Sequence, residues 1–272
     1  MIGAMWDPAV YRRYSDERSR PFFELLGRVG ASAPRTVVDL GCGPGNLTAT
    51  LAQRWPDARV LGVDSSAEMI AEARAGGGPV TYVVGDVRDW SPDGDVDVVV
   101  TNATLQWVPG HEQLLTRWAA GLPAGAWLAL QVPGNTHAPS HRALRDVAAS
   151  GPWRDRLTDG GVGPRDVPDA TGSAELLGGA GCVVDAWETT YVHVLTAAGD
   201  GRRDAVAEGQ THPVVSWMEG TALRPVRAVL ADDEWDAFRS ELDDRLAQEY
   251  PVRDGVVYFP FRRVFAVAQV PG

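Results

Sequence analysis

The feature that most constrains this chain is a glycine-rich segment at residues 36–46, which reads TVVDLGCGPGN. A β-branched apolar run leads directly into three glycines at alternate positions. Glycines permit positive φ in a tight strand-to-helix turn, and they leave bare backbone where a ligand must approach closely. Nineteen residues after Gly45, Asp64 closes a second apolar run, where a carboxylate is placed to accept hydrogen bonds from a ribose. The pattern therefore predicts a nucleoside-binding site.

Short apolar runs alternate with segments of helical spacing through the first half of the chain. We predict five strands, over residues 36–40, 59–64, 80–85, 96–101 and 127–132. Strands that alternate with helices indicate βαβ units, and therefore a parallel sheet with right-handed crossovers. Two longer alternating runs, over residues 183–194 and 264–270, predict an antiparallel pair that completes the sheet edge.

The remaining segments predict additions to one α/β domain, because 272 residues are long for one compact domain and short for two. Residues 1–30 predict an N-terminal helical segment over the ligand site. Residues 133–180 and 195–262 predict cap insertions over the carboxyl ends of the strands. We therefore expect a single domain over residues 1–272.

Composition excludes several classes of partner. A formal net charge of −11 argues against nucleic acid or an anionic membrane as the main partner. Two cysteines, Cys42 and Cys182, argue against a disulfide framework. No signal peptide, transmembrane run or metal-ligand spacing is visible. We expect a cytoplasmic protein without a metal, either a monomer or a weak dimer.

Polar side chains lie at the carboxyl ends of four predicted strands, namely Asp39, Asp64, Asp86 and Asn102. Ligands of parallel sheets bind beyond these strand ends, so we expect the four side chains to converge on one rim. The turn reads G-x-G-x-G and contains no basic residue. A nucleoside with a positively charged tail therefore suits this site better than an anionic dinucleotide does.

These motifs resemble those of class I S-adenosylmethionine-dependent methyltransferases. The matching segments are VDLGCGPG at 38–45, GVDSS at 62–66, GDV at 85–87 and the loop after Asn102. The resemblance implies a Rossmann-like seven-stranded sheet, mostly parallel with an antiparallel edge strand and helices on both faces. It implies S-adenosylmethionine as cofactor and S-adenosylhomocysteine as product. The cofactor-binding residues it implies are Tyr14, Arg18, Asp39, Gly41, Gly43, Asp64, Ser65, Met69, Asp86, Val87, Asn102 and Trp107.

The flanking segments resemble the trans-aconitate 2-methyltransferase family. The likeness lies in residues 6–8, 11, 14–15, 17–21, 102–107, 131–135, 189–193, 221–225 and 263–265. It implies an O-methyltransferase that forms the monomethyl ester of trans-aconitate or of a close small polycarboxylate. Residues 197–211 look longer and more polar than in that family, and residues 261–263 carry an extra arginine. Both departures bear on the identity of the substrate.

A carboxylate acceptor is already ionised at pH 7, so no general base and no catalytic side chain is predicted. A small anionic acid in an acidic protein requires cations in its pocket, and arginine binds carboxylates in bidentate geometry. Arg262 and Arg263 alternate across a strand, so at most one faces inward, and the resemblance favours Arg263. The predicted substrate-binding residues are Arg20, Gln106, Tyr191, His193, Arg224, Tyr258 and Arg263.

Three alternatives stay open at this point. A class I methyltransferase for another small metabolite, with a hydroxyl or amine acceptor, would need a base, for which His193 or His212 is the candidate. A nicotinamide-dependent oxidoreductase shares the glycine turn and Asp64, but the G-x-G-x-G spacing and the acid-lined rim disfavour it. The third alternative is a binding protein that keeps the cofactor fold without catalysis.

Overall fold

A computed structural model describes residues 15–159, 162, 166–196 and 211–272, without the side chains of residues 15–18, 158 and 159. The chain divides into two compact units. The sheet unit consists of Arg18–Gly134, Asp166–Thr189 and Arg263–Gly272. The helical unit is built mainly from residues 135–159, 190–196 and 211–262.

Seven strands form one sheet in the order β3-β2-β1-β4-β5-β7-β6. The strands are β1 Thr36–Leu40, β2 Arg59–Asp64, β3 Val80–Val84, β4 Val96–Asn102, β5 Trp127–Pro133, β6 Val183–Thr196 and β7 Val256–Gln269. The first five pair in parallel, and β7 pairs antiparallel with β5. The predicted mostly parallel, Rossmann-like α/β sheet is confirmed. The antiparallel strand β7 lies one position in from the edge, which β6 occupies.

Ten α-helices lie within the residues that the structure describes. They are α1 Ser15–Leu26, α2 Thr48–Arg54, α3 Ala67–Ala75, α4 His111–Gly121, α5 Pro139–Ser150, α6 Arg154–Asp159, α7 Ala170–Gly179, α8 Pro213–Glu219, α9 Arg224–Arg227 and α10 Asp232–Glu249. Because the strand order reverses between β1 and β4, right-handed crossovers put helices on both faces of the sheet. Among these helices none is long and apolar enough to cross a membrane.

The core of the sheet unit forms where apolar strand residues meet the helices. Leu128 of β5 and Trp118 of α4 are fully buried in one cluster, and the indole of Trp118 packs edge-to-face against Trp90 with 5.7 Å between ring centroids. Leu177 of α7 belongs to the same cluster. Residues 166–180, which lie inside the predicted cap segment 133–180, are therefore part of the sheet unit. The placement of a cap over the strand ends stays a prediction.

The helical unit has its own core, centred on Trp217 of α8 and Phe238 of α10. The strand β7 begins eight residues before the predicted residue 264, because its first half follows a different burial pattern. In that half Val257, Phe259 and Phe261 alternate with more exposed residues, whereas residues 263–268 are buried without interruption. The alternation predicts a strand with one solvated face, which the sequence analysis did not include.

Candidate functional site

The glycine turn, residues 41–45, has the backbone geometry that its sequence predicts. Gly41, Gly43 and Gly45 have φ of 81°, 54° and 78°. A Cβ on Gly41 would lie 2.1 Å from Oγ1 of Thr104, and one on Gly45 would lie 2.6 Å from the hydroxyl of Tyr82. A Cβ on Gly43 would meet no described atom within 4 Å. Two glycines therefore permit close packing, whereas Gly43 borders space that no described residue fills.

The carboxylate of Asp64 ties the glycine turn to the end of β2. Its Oδ2 accepts the N–H of Gly43 at 2.9 Å, and its Oδ1 accepts the N–H of Ser66 at 2.9 Å. Each carboxylate oxygen has about two lone pairs, so both keep capacity for a ligand hydroxyl. Ser66 also caps α3, as its Oγ accepts the N–H of Met69 at 3.2 Å, and Ser65 beside it is exposed.

Asp39 is buried beneath the glycine turn. Its Oδ2 accepts a hydrogen bond from the hydroxyl of Thr48 at 2.6 Å. Burial, together with a smaller contribution from the negative charge of Asp64, raises the pKa of Asp39 to about 7, against the opposing effect of the Thr48 hydrogen bond. Two carboxylates near one turn without a basic residue favour a ligand that carries positive charge.

The raised pKa makes the stability of the protein without cofactor depend on pH through Asp39. The folded state keeps a proton that the unfolded state releases between about pH 4 and the folded pKa of about 7. The contribution is therefore fully present below pH 4 and is lost as pH rises through 7. At 1.36 kcal/mol per pKa unit, the loss is on the order of 4 kcal/mol.

We expect Asp39→Asn to remove this decline, since an amide keeps an oxygen for the Thr48 hydroxyl and carries no titrating charge. Urea unfolding of both proteins between pH 4.5 and 8 measures the difference. The gap in unfolding free energy should shift in favour of the variant by a few kcal/mol toward pH 8. If the unfolding free energies of the two proteins changed in parallel with pH, the raised pKa of Asp39 would be contradicted.

Asp86, after β3, is paired with an arginine that the sequence analysis did not single out. The guanidinium of Arg88 donates through Nε to Oδ1 at 2.9 Å and through Nη2 to Oδ2 at 2.5 Å. These hydrogen bonds hold the pKa of Asp86 below its usual range. The sequence signal for this pair is an arginine two residues after the aspartate. Val87, between the two, is buried.

The loop after β4 carries backbone strain and two acceptors without a partner among the described residues. Ala103 has a φ of 54°, which a residue with a Cβ rarely adopts and which is typical of functional loops. The amide of Gln106 donates through Nε2 to the carbonyl of Ala103 at 2.6 Å. Its buried Oε1 and the buried Oδ1 of Asn102 accept no hydrogen bond from any described residue. Trp107, which follows, is 44% exposed.

The carboxyl end of β5 brings a buried arginine beside a buried amide. Arg263 of β7 is 5% exposed, whereas Arg262 is half-buried, so Arg263 is the inward member of the pair. Its Nη1 donates to Oε1 of Gln131 at 3.4 Å. Gln131 was not among the predicted site residues, because a single glutamine in an apolar strand carries no motif.

In the helical unit, His193 lies in a buried aromatic cluster. Its ring stacks on Trp217 with 4.3 Å between centroids, and the centroid of Tyr191 is 6.4 Å away. Tyr258 is 52% exposed and alternates with the buried Phe259, so it lies on the opposite face of β7. Tyr258 and His193 therefore do not line one common surface. Arg224 is exposed at the start of α9.

His212, the other candidate base for a hydroxyl or amine acceptor, has a structural role. Its Nδ1 accepts the N–H of Val214 at 3.3 Å, and its Nε2 lies 3.0 Å from the carbonyl oxygen of Tyr250. Burial lowers the pKa of His212. Both ring nitrogens are used in capping and anchoring α8, which rules His212 out as a general base.

Two predicted cofactor contacts lie outside what the structure describes, namely Tyr14 and the side chain of Arg18. Arg20, in α1, is exposed. Across the described ranges, no group of three or more His, Cys, Asp or Glu residues is placed to hold a metal ion.

Comparison with known proteins gives consistent matches. Residues 37–125 match the family model of a methyltransferase domain. The trans-aconitate 2-methyltransferase of Mycobacterium sp. (strain KMS) is 56% identical over 97% of this chain and 99% of its own length. That of Rhodococcus jostii (strain RHA1) is 53% identical over 98% of this chain and 100% of its own. The fold is similar to a putative methyltransferase from Bacillus halodurans C-125, with a TM-score of 0.58 and 17% identity over 93% of this chain and 100% of that one.

Proposed function

We propose that this chain, which belongs to the trans-aconitate 2-methyltransferase family of class I S-adenosylmethionine-dependent methyltransferases, esterifies one carboxylate of trans-aconitate or of a close small polycarboxylate. The observation that carries the substrate class is the burial of Arg263 at the carboxyl end of β5. A guanidinium recognises a carboxylate through two parallel hydrogen bonds. A buried one at the ligand-binding rim of an acidic protein supports an anionic acid as substrate.

The residues of the glycine turn and its neighbours fit the cofactor. S-adenosylmethionine supplies a methyl group that its positively charged sulfonium activates. Open space over Gly43 suits close contact with a ligand, and the free lone pairs of Asp64 suit ribose hydroxyls. Asp39 in its ionised form favours the cationic end, and Asp86, fixed by Arg88, is suited to the adenine amino group.

Methyl transfer to a carboxylate requires the side chains only to bind and align the two substrates. A substrate carboxylate is ionised at pH 7 without a base, and pre-alignment of two reactants is worth about 7–11 kcal/mol of the barrier. Arg263 would neutralise and orient the acid. The alternative with a hydroxyl or amine acceptor requires a base, and His212 is committed to anchoring α8.

Charge and composition support the remaining parts of the proposal. A net charge of −11 disfavours nucleic acid and anionic membranes as partners, and two cysteines suit a reducing compartment. We propose a cytoplasmic enzyme that acts as a monomer or a weak dimer on a small anionic acid.

A methyl-transfer assay with trans-aconitate, other di- and tricarboxylic acids, phenols and amines tests this function. We expect a monomethyl ester from trans-aconitate, and no product from the phenols and amines. At saturation with both substrates, kcat should change little between pH 6 and 8, because no histidine base takes part. Methylation of an amine or phenol in preference to every acid would contradict the proposal.

A further inference from the structure

Gln131 is a polar residue in a fully buried position, where the side-chain amide loses its hydrogen bonds to water. Its side chain in β5 is 0% exposed, and its strand neighbours in register are Asn102 on β4 and Phe265 on β7. Burial of an amide without hydrogen bonds costs about 1–3 kcal/mol. A buried polar group of this kind is retained in a fold when it has a partner.

The orientation of this amide is determined by its arginine neighbour. A guanidinium has donors and no acceptor, so the atom of Gln131 that faces Nη1 of Arg263 at 3.4 Å is the carbonyl oxygen. The amide nitrogen Nε2 is then the atom that does not face Nη1. It is buried and has no hydrogen-bond acceptor among the described residues. Two N–H donors are thus available at a site that excludes water.

Sheet register places these donors at the ligand-binding rim. Gln131 pairs with Asn102, and Arg263 pairs with Pro133, so Gln131, Asn102 and Arg263 share one face at the carboxyl end of β5. The strand β4 separates β5 from β1, which leads into the glycine turn. Two strand spacings, about 10 Å, therefore separate Gln131 from that turn. A small acid bound at Gln131 would therefore lie beside a nucleoside bound at the turn.

The unpartnered side-chain atom is a hydrogen-bond acceptor next to β4 and a hydrogen-bond donor on β5. Next to β4, the amide of Gln106 must direct its nitrogen to the carbonyl of Ala103, which leaves an oxygen acceptor suited to a cation or a hydroxyl. On β5, Gln131 leaves a donor beside a guanidinium. A carboxylate has acceptors alone, so it fits the β5 side and not the β4 side.

We infer that Gln131 is a specificity-determining residue, whose amide N–H groups bind a carboxylate of the substrate together with the guanidinium of Arg263. This inference rests on the proposed function and adds to it the donor set for one carboxylate. A site built to hydrogen-bond a group rejects analogues that lack it. Acids with a single carboxylate, and esters at the bound position, should therefore be poor substrates.

Two substitutions of Gln131 test this role. Gln131→Met removes the donor in a side chain of similar length, and Gln131→Glu keeps the shape and the acceptor for Arg263 but replaces the donor with a charged oxygen. Calorimetry of trans-aconitate with the S-adenosylhomocysteine complex measures acid binding without turnover. We expect Kd and KM for trans-aconitate to rise about 10- to 100-fold in Gln131→Met and further in Gln131→Glu. The affinity for S-adenosylhomocysteine should stay within about threefold.

Thr101→Val provides a matched control. The hydroxyl of Thr101 is buried and, like the amide nitrogen of Gln131, has no partner among the residues described. Thr101 precedes Asn102 in β4, so it lies on the opposite face of the sheet. Its replacement deletes a buried polar group from the same rim and should leave Kd and KM for trans-aconitate unchanged.

The outcomes separate the inference from the proposed function. If the unmodified complex binds trans-aconitate and Gln131→Met binds it equally well, the inference is overturned and the function stands. If Thr101→Val weakens acid binding as much as Gln131→Met, the effect is one of sheet packing and the inference is overturned. If the unmodified protein neither binds nor methylates any acid, the proposed function fails, and the inference fails with it.

Discussion

Arg263→Met is expected to lower kcat/KM for trans-aconitate by roughly 10²- to 10³-fold, the largest loss that we expect from any single substitution in this chain. Removal of one partner from a buried, hydrogen-bonded charge pair costs about 2–5 kcal/mol, and each 1.4 kcal/mol is a factor of ten. The substrate would lose its cation in a buried environment, where charge is poorly screened. Initial-rate kinetics at fixed, saturating S-adenosylmethionine provide the measurement.

The neighbouring arginines supply the controls. Arg262→Met makes the same substitution one residue earlier, on the other side of β7, and should leave kcat/KM within about threefold. Arg224 is exposed, so Arg224→Ala should cost less than Arg263→Met, because exposed charges interact weakly. If Arg263→Met retained normal turnover and Arg262→Met did not, the assignment of the inward arginine would be wrong.

Gly43→Ala is expected to weaken S-adenosylhomocysteine binding by about 10- to 100-fold. The new methyl group would project into the open space beside the turn backbone, where we propose that the cofactor lies. The φ of 54° adds strain of about 1 kcal/mol in the folded protein. Calorimetry with S-adenosylhomocysteine and urea unfolding separate binding from stability.

Gly77→Ala is the matched control for this substitution. Gly77 has a φ of 68°, and a Cβ there also meets no described atom within 4 Å. It lies in the loop that enters β3, at the opposite rim of the sheet. Both variants should lose a similar amount of stability, and only Gly43→Ala should lose cofactor affinity. Equal affinities in the two variants would show that Gly43 does not border the cofactor.

Most of the fold followed from local patterns in the sequence. The runs of β-branched residues predicted β1 and β2 at their observed limits, and Ser66 predicted the start of α3, because strand period and helix capping depend on neighbouring residues. The first half of β7 was missed. Its alternation of Val257, Phe259 and Phe261 has meaning only when the helical core that covers one face is known.

The candidate site likewise combines features that the sequence predicted with features that it did not. The positive φ of Gly41, Gly43 and Gly45 and the position of Asp64 follow from composition and spacing, since a turn of this kind has few backbone solutions. The spacing of Asp86 and Arg88 is compatible with an ion pair but does not establish one, and no sequence pattern indicated that Tyr258 and His193 lie on opposite faces. These relations depend on rotamers and on strand register.

By itself, the sequence determined that this chain builds a parallel α/β sheet with a glycine turn for a cationic nucleoside, because those features are set by residues close together in the chain. The tertiary structure alone decided which polar groups face one another without solvent. Gln131 and Arg263 are 132 residues apart, and only the antiparallel pairing of β5 with β7 brings the amide to the guanidinium. Hydrogen bonding between distant residues requires a complete sheet, whereas a turn requires only its own backbone.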